Sequence, residues 1–183
     1  MKRPGWTQRG FTLIELVIFI VIVSVALAGV LLVLTRSTAA SADPQLRRQA
    51  LAIAESLLEE VQLMPFTYCD PDDPAVDTAA SSAGCATPEV VGPEAGESRS
   101  VAPQFDNVND YHGYSMPAGI SDITGTAIPG LGAYSASIAV QAAALDSVPA
   151  TDALRITVTV NGPGGTQVKL EGWRTRYAPN AAF

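Results

Sequence analysis

Residues 9–16 read Arg9-Gly10-Phe11-Thr12-Leu13-Ile14-Glu15-Leu16, and VIFIVIVSVALAGVLLVL continues the chain over residues 17–34. Over residues 16–34 no side chain is charged, and Ser24 is the one polar group. Taken as a helix at about 1.5 Å per residue, residues 11–34 span about 36 Å. That length crosses the hydrocarbon core of a bilayer. The rest of the 183-residue chain has the composition of an ordinary water-facing protein, enough for one domain but not comfortably for two.

The flanks of this run set its orientation. Lys2, Arg3 and Arg9 precede it with no acid among them, so the positive-inside rule keeps the N-terminus cytoplasmic and exports the chain beyond the run. Three readings fit an N-terminal apolar segment. The first is a cleaved secretory signal, with Ala40 and Ala42 as an A-x-A site. Against it, the run is much longer than an ordinary signal core, and Asp43-Pro44 is a poor context for cleavage. The second is a plain signal anchor. The third turns on Glu15, a carboxylate at the start of a membrane helix. Such a group costs about 2.5–3.5 kcal/mol at the bilayer centre and less near the interface, so it is a functional candidate by default.

The order Gly10, Phe11, Thr12, Leu13, Ile14, Glu15, after a basic leader and before a long apolar helix, resembles the processing site of type IV prepilins and pseudopilins. The resemblance implies that a prepilin peptidase cuts between Gly10 and Phe11 and methylates the new amine on Phe11. It also implies an assembly role for Glu15, whose carboxylate would meet the Phe11 amine of a neighbouring subunit. In a low-dielectric filament core such a pair enforces a fixed stagger. Many major pilins carry a proline near the position of Leu32; here Gly29 and Ser24 stand in that half instead.

Beyond the anchor the helical pattern continues. Leu46, Ala50, Ile53, Leu57, Val61 and Met64 form one apolar stripe, while Gln45, Arg47, Arg48, Glu55, Glu59 and Gln62 lie off it. Asp43-Pro44 is expected to bend or break the helix, with Asp43 capping its second half, and Pro65 to close it. Residues 66–103 read as loop, interrupted by Pro71, Pro74, Pro88 and Pro93. Residues 134–142, 154–161 and 168–177 alternate as strands, with a turn at residues 161–165 and a bulge expected at Gly172, after which Trp173, Thr175 and Tyr177 take over the inner face. The expected fold is α+β: a long N-terminal helix, transmembrane half plus amphipathic half, packed on a small antiparallel β-sheet head. The expected organisation is a cleaved leader over 1–10, a transmembrane helix over 11–34, an amphipathic helix over 35–64 and an exported head over 65–183.

Charge and cysteines narrow the chemistry. Residues 65–152 carry twelve acids and one base, Arg99, whereas residues 153–183 carry Arg155, Lys169, Arg174 and Arg176 against Glu171. No broad basic face for nucleic acid is expected, although Arg174 and Arg176 make a small basic patch. Cys69 and Cys85 are expected to form a disulfide, because an even count accompanies export and the segment between them is poor in apolar residues. Asp106, Asn107, Asn109 and Asp110 offer oxygens of the kind calcium takes. No Asp-x-Asp-x-Asp-Gly loop is present, so a turn capped by Asx side chains is expected, with no metal and no cofactor. His112 reads as a surface or turn residue, there is no nucleophile motif or phosphate loop, and no enzymatic activity is expected.

Residues 41–45, 49–60 and 65–66, with residues 105–114, are similar to minor pilins of the mannose-sensitive haemagglutinin (MSHA) type. That resemblance implies a minor structural subunit, a place in the inner membrane with the C-terminal domain in the periplasm, and later a place in a pilus at the cell surface. The implied partners are other pilin subunits, the prepilin peptidase, the inner-membrane pilus assembly platform and the lipid bilayer. A pseudopilin of type II secretion and a filament-tip adhesive or DNA-uptake subunit are the alternatives.

Overall fold

The computed structural model describes residues 10–181, without the side chains of residues 36–43. The leader cations Lys2, Arg3 and Arg9 lie outside the described residues. Two compact units divide at Asp43 and Pro44. One helix, α1 (Leu13–Leu63), contributes to both. In the first unit its large apolar side chains, from Leu13 through Leu34, are exposed throughout. The segment Leu13–Thr35 is long and apolar enough to cross a membrane. Ser24 and Thr35 return their hydroxyls to carbonyls of the preceding turn, those of Ile20 and Leu31, so neither presents a bare polar group to lipid.

Asp43-Pro44 does not end the helix. Pro44 lies inside it, so Asp43 occupies an interior position rather than a cap. A proline there removes one backbone bond and crowds the preceding turn. Each flank has its own reason to stay helical: an uninterrupted apolar run before it, and a packed stripe after it. In the second unit Ala50, Ile53, Ala54, Leu57 and Val61 are buried, and Leu46, Leu58 and Met64 pack against the same core. Leu63 ends the helix and Pro65 follows it.

The sheet has four antiparallel strands in sequential order: β1 (Ser115–Met116), β2 (Ser135–Ala142), β3 (Ala153–Asn161) and β4 (Gln167–Thr175). Alternation decides the inner face, as the pleat requires. Ala136, Ile138 and Val140 of β2 are buried, as are Leu154, Ile156, Val158 and Val160 of β3. This face packs on the stripe of α1, and the Tyr134 hydroxyl donates to Oε1 of Gln49 across the interface.

Gly172 forms no bulge. It pairs in register with Ile156, between the Glu171–Thr157 and Trp173–Arg155 pairs. Alternation therefore continues unbroken, and the inner face does not pass to Trp173. The glycine is there for space: a Cβ on Gly172 would lie 2.5 Å from Nε2 of Gln62 and 2.9 Å from Cδ1 of Leu58. A larger residue here would have to displace the ends of the Gln62 and Leu58 side chains of α1.

The loop between α1 and β1 is more ordered than its composition suggests. Cys69 and Cys85 are joined by a disulfide with their Cα atoms 5.3 Å apart. Val76 and Ala79 bury against it. Asp73 accepts from the Ala75 and Thr87 amides, and Asp70 accepts from the Asp72 amide. These backbone donors hold the Asp73 carboxyl below its usual range. Asn180 adds two bonds from its side-chain amide to the Val76 and Ala79 carbonyls. The crosslink closes a separation of 16 residues, for which chain entropy gives about 3 kcal/mol. Removing it by Cys69→Ala with Cys85→Ser is expected to lower the stability of the head by about that amount. Urea denaturation of the detergent-solubilised protein measures this, and a loss below about 1 kcal/mol would show that the side-chain and backbone bonds alone hold the loop.

Candidate functional site

The first turn of α1 is where the chain is most exposed and most specifically built. The Thr12 carbonyl accepts the Leu16 amide at 3.2 Å, and the Thr12 hydroxyl accepts the Glu15 amide at 3.4 Å. Thr12 thus caps the helix through its hydroxyl, which accepts the amide of Glu15 three positions later. A carboxylate in the first turn also complements the helix dipole. Phe11, 84% exposed, precedes the cap, and Gly10 has open space around it. Phe11, Glu15, Leu16 and Phe19 line one shallow notch. The chain thus presents an accessible Gly10-Phe11 peptide, and a carboxylate one turn inside the apolar first stretch of α1.

In the head, Arg99 finds its partner on α1 rather than among the acids around it in sequence. Its guanidinium is 4% exposed and grips Glu60 with two bonds, Nε to Oε1 at 2.6 Å and Nη2 to Oε2 at 2.7 Å. Its Nη1 donates to the Ser121 and Asp122 carbonyls. The Tyr111 hydroxyl donates to the same Glu60. Hydrogen bonding to Glu60 holds Arg99 above its usual range, while burial pushes the Tyr111 phenol up.

Residues 105–114 fold as a capped turn at the centre of the head. A short 3-10 helix covers Val108–Tyr111, with all four residues buried. Asp110 caps it, Oδ2 accepting the Asp106 and Asn107 amides at 3.0 and 2.7 Å. His112 ends the turn, and its Nδ1 accepts the Val140 amide at 3.2 Å. Glu89 and Glu94 arrive from the preceding loop, so that carboxylate oxygens of Glu89, Glu94 and Asp110 lie within 4.8 Å of one another. Burial, reinforced by the Asp110 and Glu94 carboxylates, pushes Glu89 up to about 9. Burial likewise raises Asp110 to about 7 and Asp106 to about 6. The sequence marks Asp106, Asn107, Asn109 and Asp110 but not Glu89 and Glu94, which lie some twenty residues away along an irregular loop with no pattern to single them out.

The basic patch expected at Arg174 and Arg176 is taken up within the head. Arg176 lies over the Phe66 and Tyr68 rings, at 3.9 and 4.6 Å from their centroids, and pairs with Asp152 at 3.8 Å. Arg174 stacks on Tyr177.

The chain thus combines an α+β head with an exposed apolar helix segment, long enough to cross a membrane, that opens on a capped acidic first turn. Residues 7–31 match the family described as the prokaryotic N-terminal methylation motif. The chain therefore carries the N-terminal signature of type IV pilin-like proteins, a structural rather than enzymatic group, which associate with other pilin subunits and are anchored in the inner membrane by this helix. The match covers the anchor and stops short of the head. No curated protein and no solved structure matches the chain.

Proposed function

We propose that this protein is a minor pilin of an MSHA-like type IV pilus, similar to the minor pilin MshD. It is made as a precursor with a leader over residues 1–10, a membrane helix over 11–34, an amphipathic helix over 35–64 and a periplasmic head over 65–183. A prepilin peptidase cuts between Gly10 and Phe11 and methylates the Phe11 amine. The assembly platform then moves the subunit from the bilayer into the filament, where the Glu15 carboxylate meets the amine of a neighbour. The observation that carries this reading is the first turn of α1. An open Gly10-Phe11 peptide and a single carboxylate sit at the head of a helix whose first stretch, from Leu13 through Leu34, exposes its large apolar side chains. Lipid satisfies those side chains before assembly, and neighbouring helices satisfy them afterwards.

Processing is the first test. Intact-mass analysis of the protein extracted from host membranes is expected to give a chain beginning at Phe11 and carrying one added methyl group. A mature chain beginning at Asp43 would instead mean ordinary secretion and end the pilin reading.

A further inference from the structure

We propose that Glu89, Glu94 and Asp110, with the side-chain oxygen of Asn109, form a calcium-binding site in the head. One carboxylate oxygen from each of the three acids lies within 4.8 Å of the others. Convergence alone would say little, but the oxygens here are also buried and lack donors. Asp110 is fully buried; its Oδ2 is used in capping, while Oδ1 accepts no hydrogen bond. Asn109 is 5% exposed, its Oδ1 likewise without a donor. Both oxygens of Glu89 and Oε1 of Glu94 are buried in the same condition. The backbone ties these groups together: the Gly92 amide, between the two glutamates, donates to the Asn109 carbonyl at 3.1 Å. Asn109 lies close enough to Glu89 to favour its charged form, though without a hydrogen bond of normal geometry.

Buried acceptors are ordinarily paired, and each one left bare is costly. Bare oxygens from three acids at one place call for a shared positive partner. The nearby side-chain cations are committed elsewhere. Arg99 is held by Glu60 and two carbonyls. Arg176 is near enough for its charge to be felt at Glu89, but it pairs with Asp152 and lies over two rings. A bound cation satisfies the converging carboxylate oxygens together, and Asn109 adjoins them at Glu89.

The donor set selects the ion. Every donor is a hard oxygen, the choice of calcium or magnesium rather than zinc. The cysteine sulfurs are in the disulfide, and Nδ1 of the single histidine accepts the Val140 amide. Two glutamates on an irregular loop can bind through both oxygens and adapt to the high coordination number of calcium, whereas magnesium demands a compact octahedron and keeps its waters. The neighbouring triad of Asp70, Asp72 and Asp106 is more open, and Asp70 already accepts the Asp72 amide; it is not part of the site. Calcium binding here is independent of which filament the protein joins.

The test is calcium titration by calorimetry on the full chain in detergent, followed by thermal unfolding in calcium chloride and in EDTA. Wild type is expected to bind one calcium per head in the range of extracellular modules, on the order of 10⁻⁴–10⁻³ M or tighter. Its melting temperature should be higher in calcium than in EDTA. Glu89→Gln and Glu94→Gln, each close to isosteric, are expected to weaken binding at least tenfold. In EDTA each should melt at or above wild type, because an amide sits in the crowded acidic cluster at no greater cost than the carboxyl it replaces. That opposite sign separates loss of a ligand from failure to fold. Absence of saturable binding in wild type overturns the proposal, as does undiminished binding in both variants. Equal affinity for magnesium overturns the choice of calcium.

Discussion

Glu15→Ala is expected to cut the amount of this protein in sheared filaments, relative to the membrane pool, by on the order of a hundredfold. On the proposed assembly role, the substitution leaves a neighbour's Phe11 amine buried without its counter-charge. Breaking a desolvated pair from one side costs about 3–5 kcal/mol, and each 1.4 kcal/mol is tenfold. The other steps should survive. Gly10 and Phe11 are untouched, so the peptidase meets the same peptide. The helix keeps its start, because the Thr12 hydroxyl accepts the backbone amide of residue 15, not its side chain. Loss of the carboxylate from the first turn costs only about 0.3–1 kcal/mol of dipole interaction. Membrane insertion becomes easier, since a charge has left the apolar run. Glu15→Gln should be intermediate, because it still accepts a hydrogen bond. The measurement is quantitative immunoblotting of filament and membrane fractions, with processing checked by mass. An unchanged ratio in a processed, inserted Glu15→Ala protein would show that docking does not use the carboxylate.

Arg99→Ala is expected to destabilise the head by about 3–5 kcal/mol, the range for removing one side of a buried ion pair. Three groups lose a donor together: the Glu60 carboxylate, which keeps only the Tyr111 hydroxyl, the Ser121 carbonyl, and the Asp122 carbonyl, which keeps the Gly125 amide. Glu60 retains some contact with solvent, its side chain being 18% exposed, which favours the lower part of that range. Glu60→Gln should cost less, since its oxygen can still accept from Arg99 or from Tyr111. Replacing the pair together by apolar residues, Glu60→Leu with Arg99→Met, should recover much of the loss, because no buried charge is then left alone. Urea denaturation of the solubilised full chain gives these values. A loss under about 1 kcal/mol for Arg99→Ala would mean that water reaches the pair.

Patterned local signals determined much of this protein. A 19-residue uncharged run has no other stable use than an apolar surrounding, so residues 16–34 were legible as an anchor from their composition alone. The three-four spacing of Leu46, Ala50, Ile53, Leu57 and Val61 announced the buried face of α1, and alternation announced β2 and β3. In both cases the backbone period places every apolar residue on one side. Gly10, Phe11 and Glu15, which carry the proposed processing and assembly roles, stand out for a related reason: they belong to one short contiguous stretch.

What only the tertiary structure decided are matters of distance between residues far apart in sequence. Gly172 looked like a bulge because its missing side chain is compatible with either a kink or a close approach. The packing of Leu58 and Gln62 over it decides for the second. Pro44 looked like a helix end because propensity counts only the local cost, whereas the segments on either side are held by their surroundings. Arg99 gave no hint of Glu60, 39 positions away. Nor did Asp110 hint that Glu89 and Glu94 would be brought against it with their oxygens bare. Carboxylates spaced irregularly along loops carry no period, and only the folded backbone brings them to a common point.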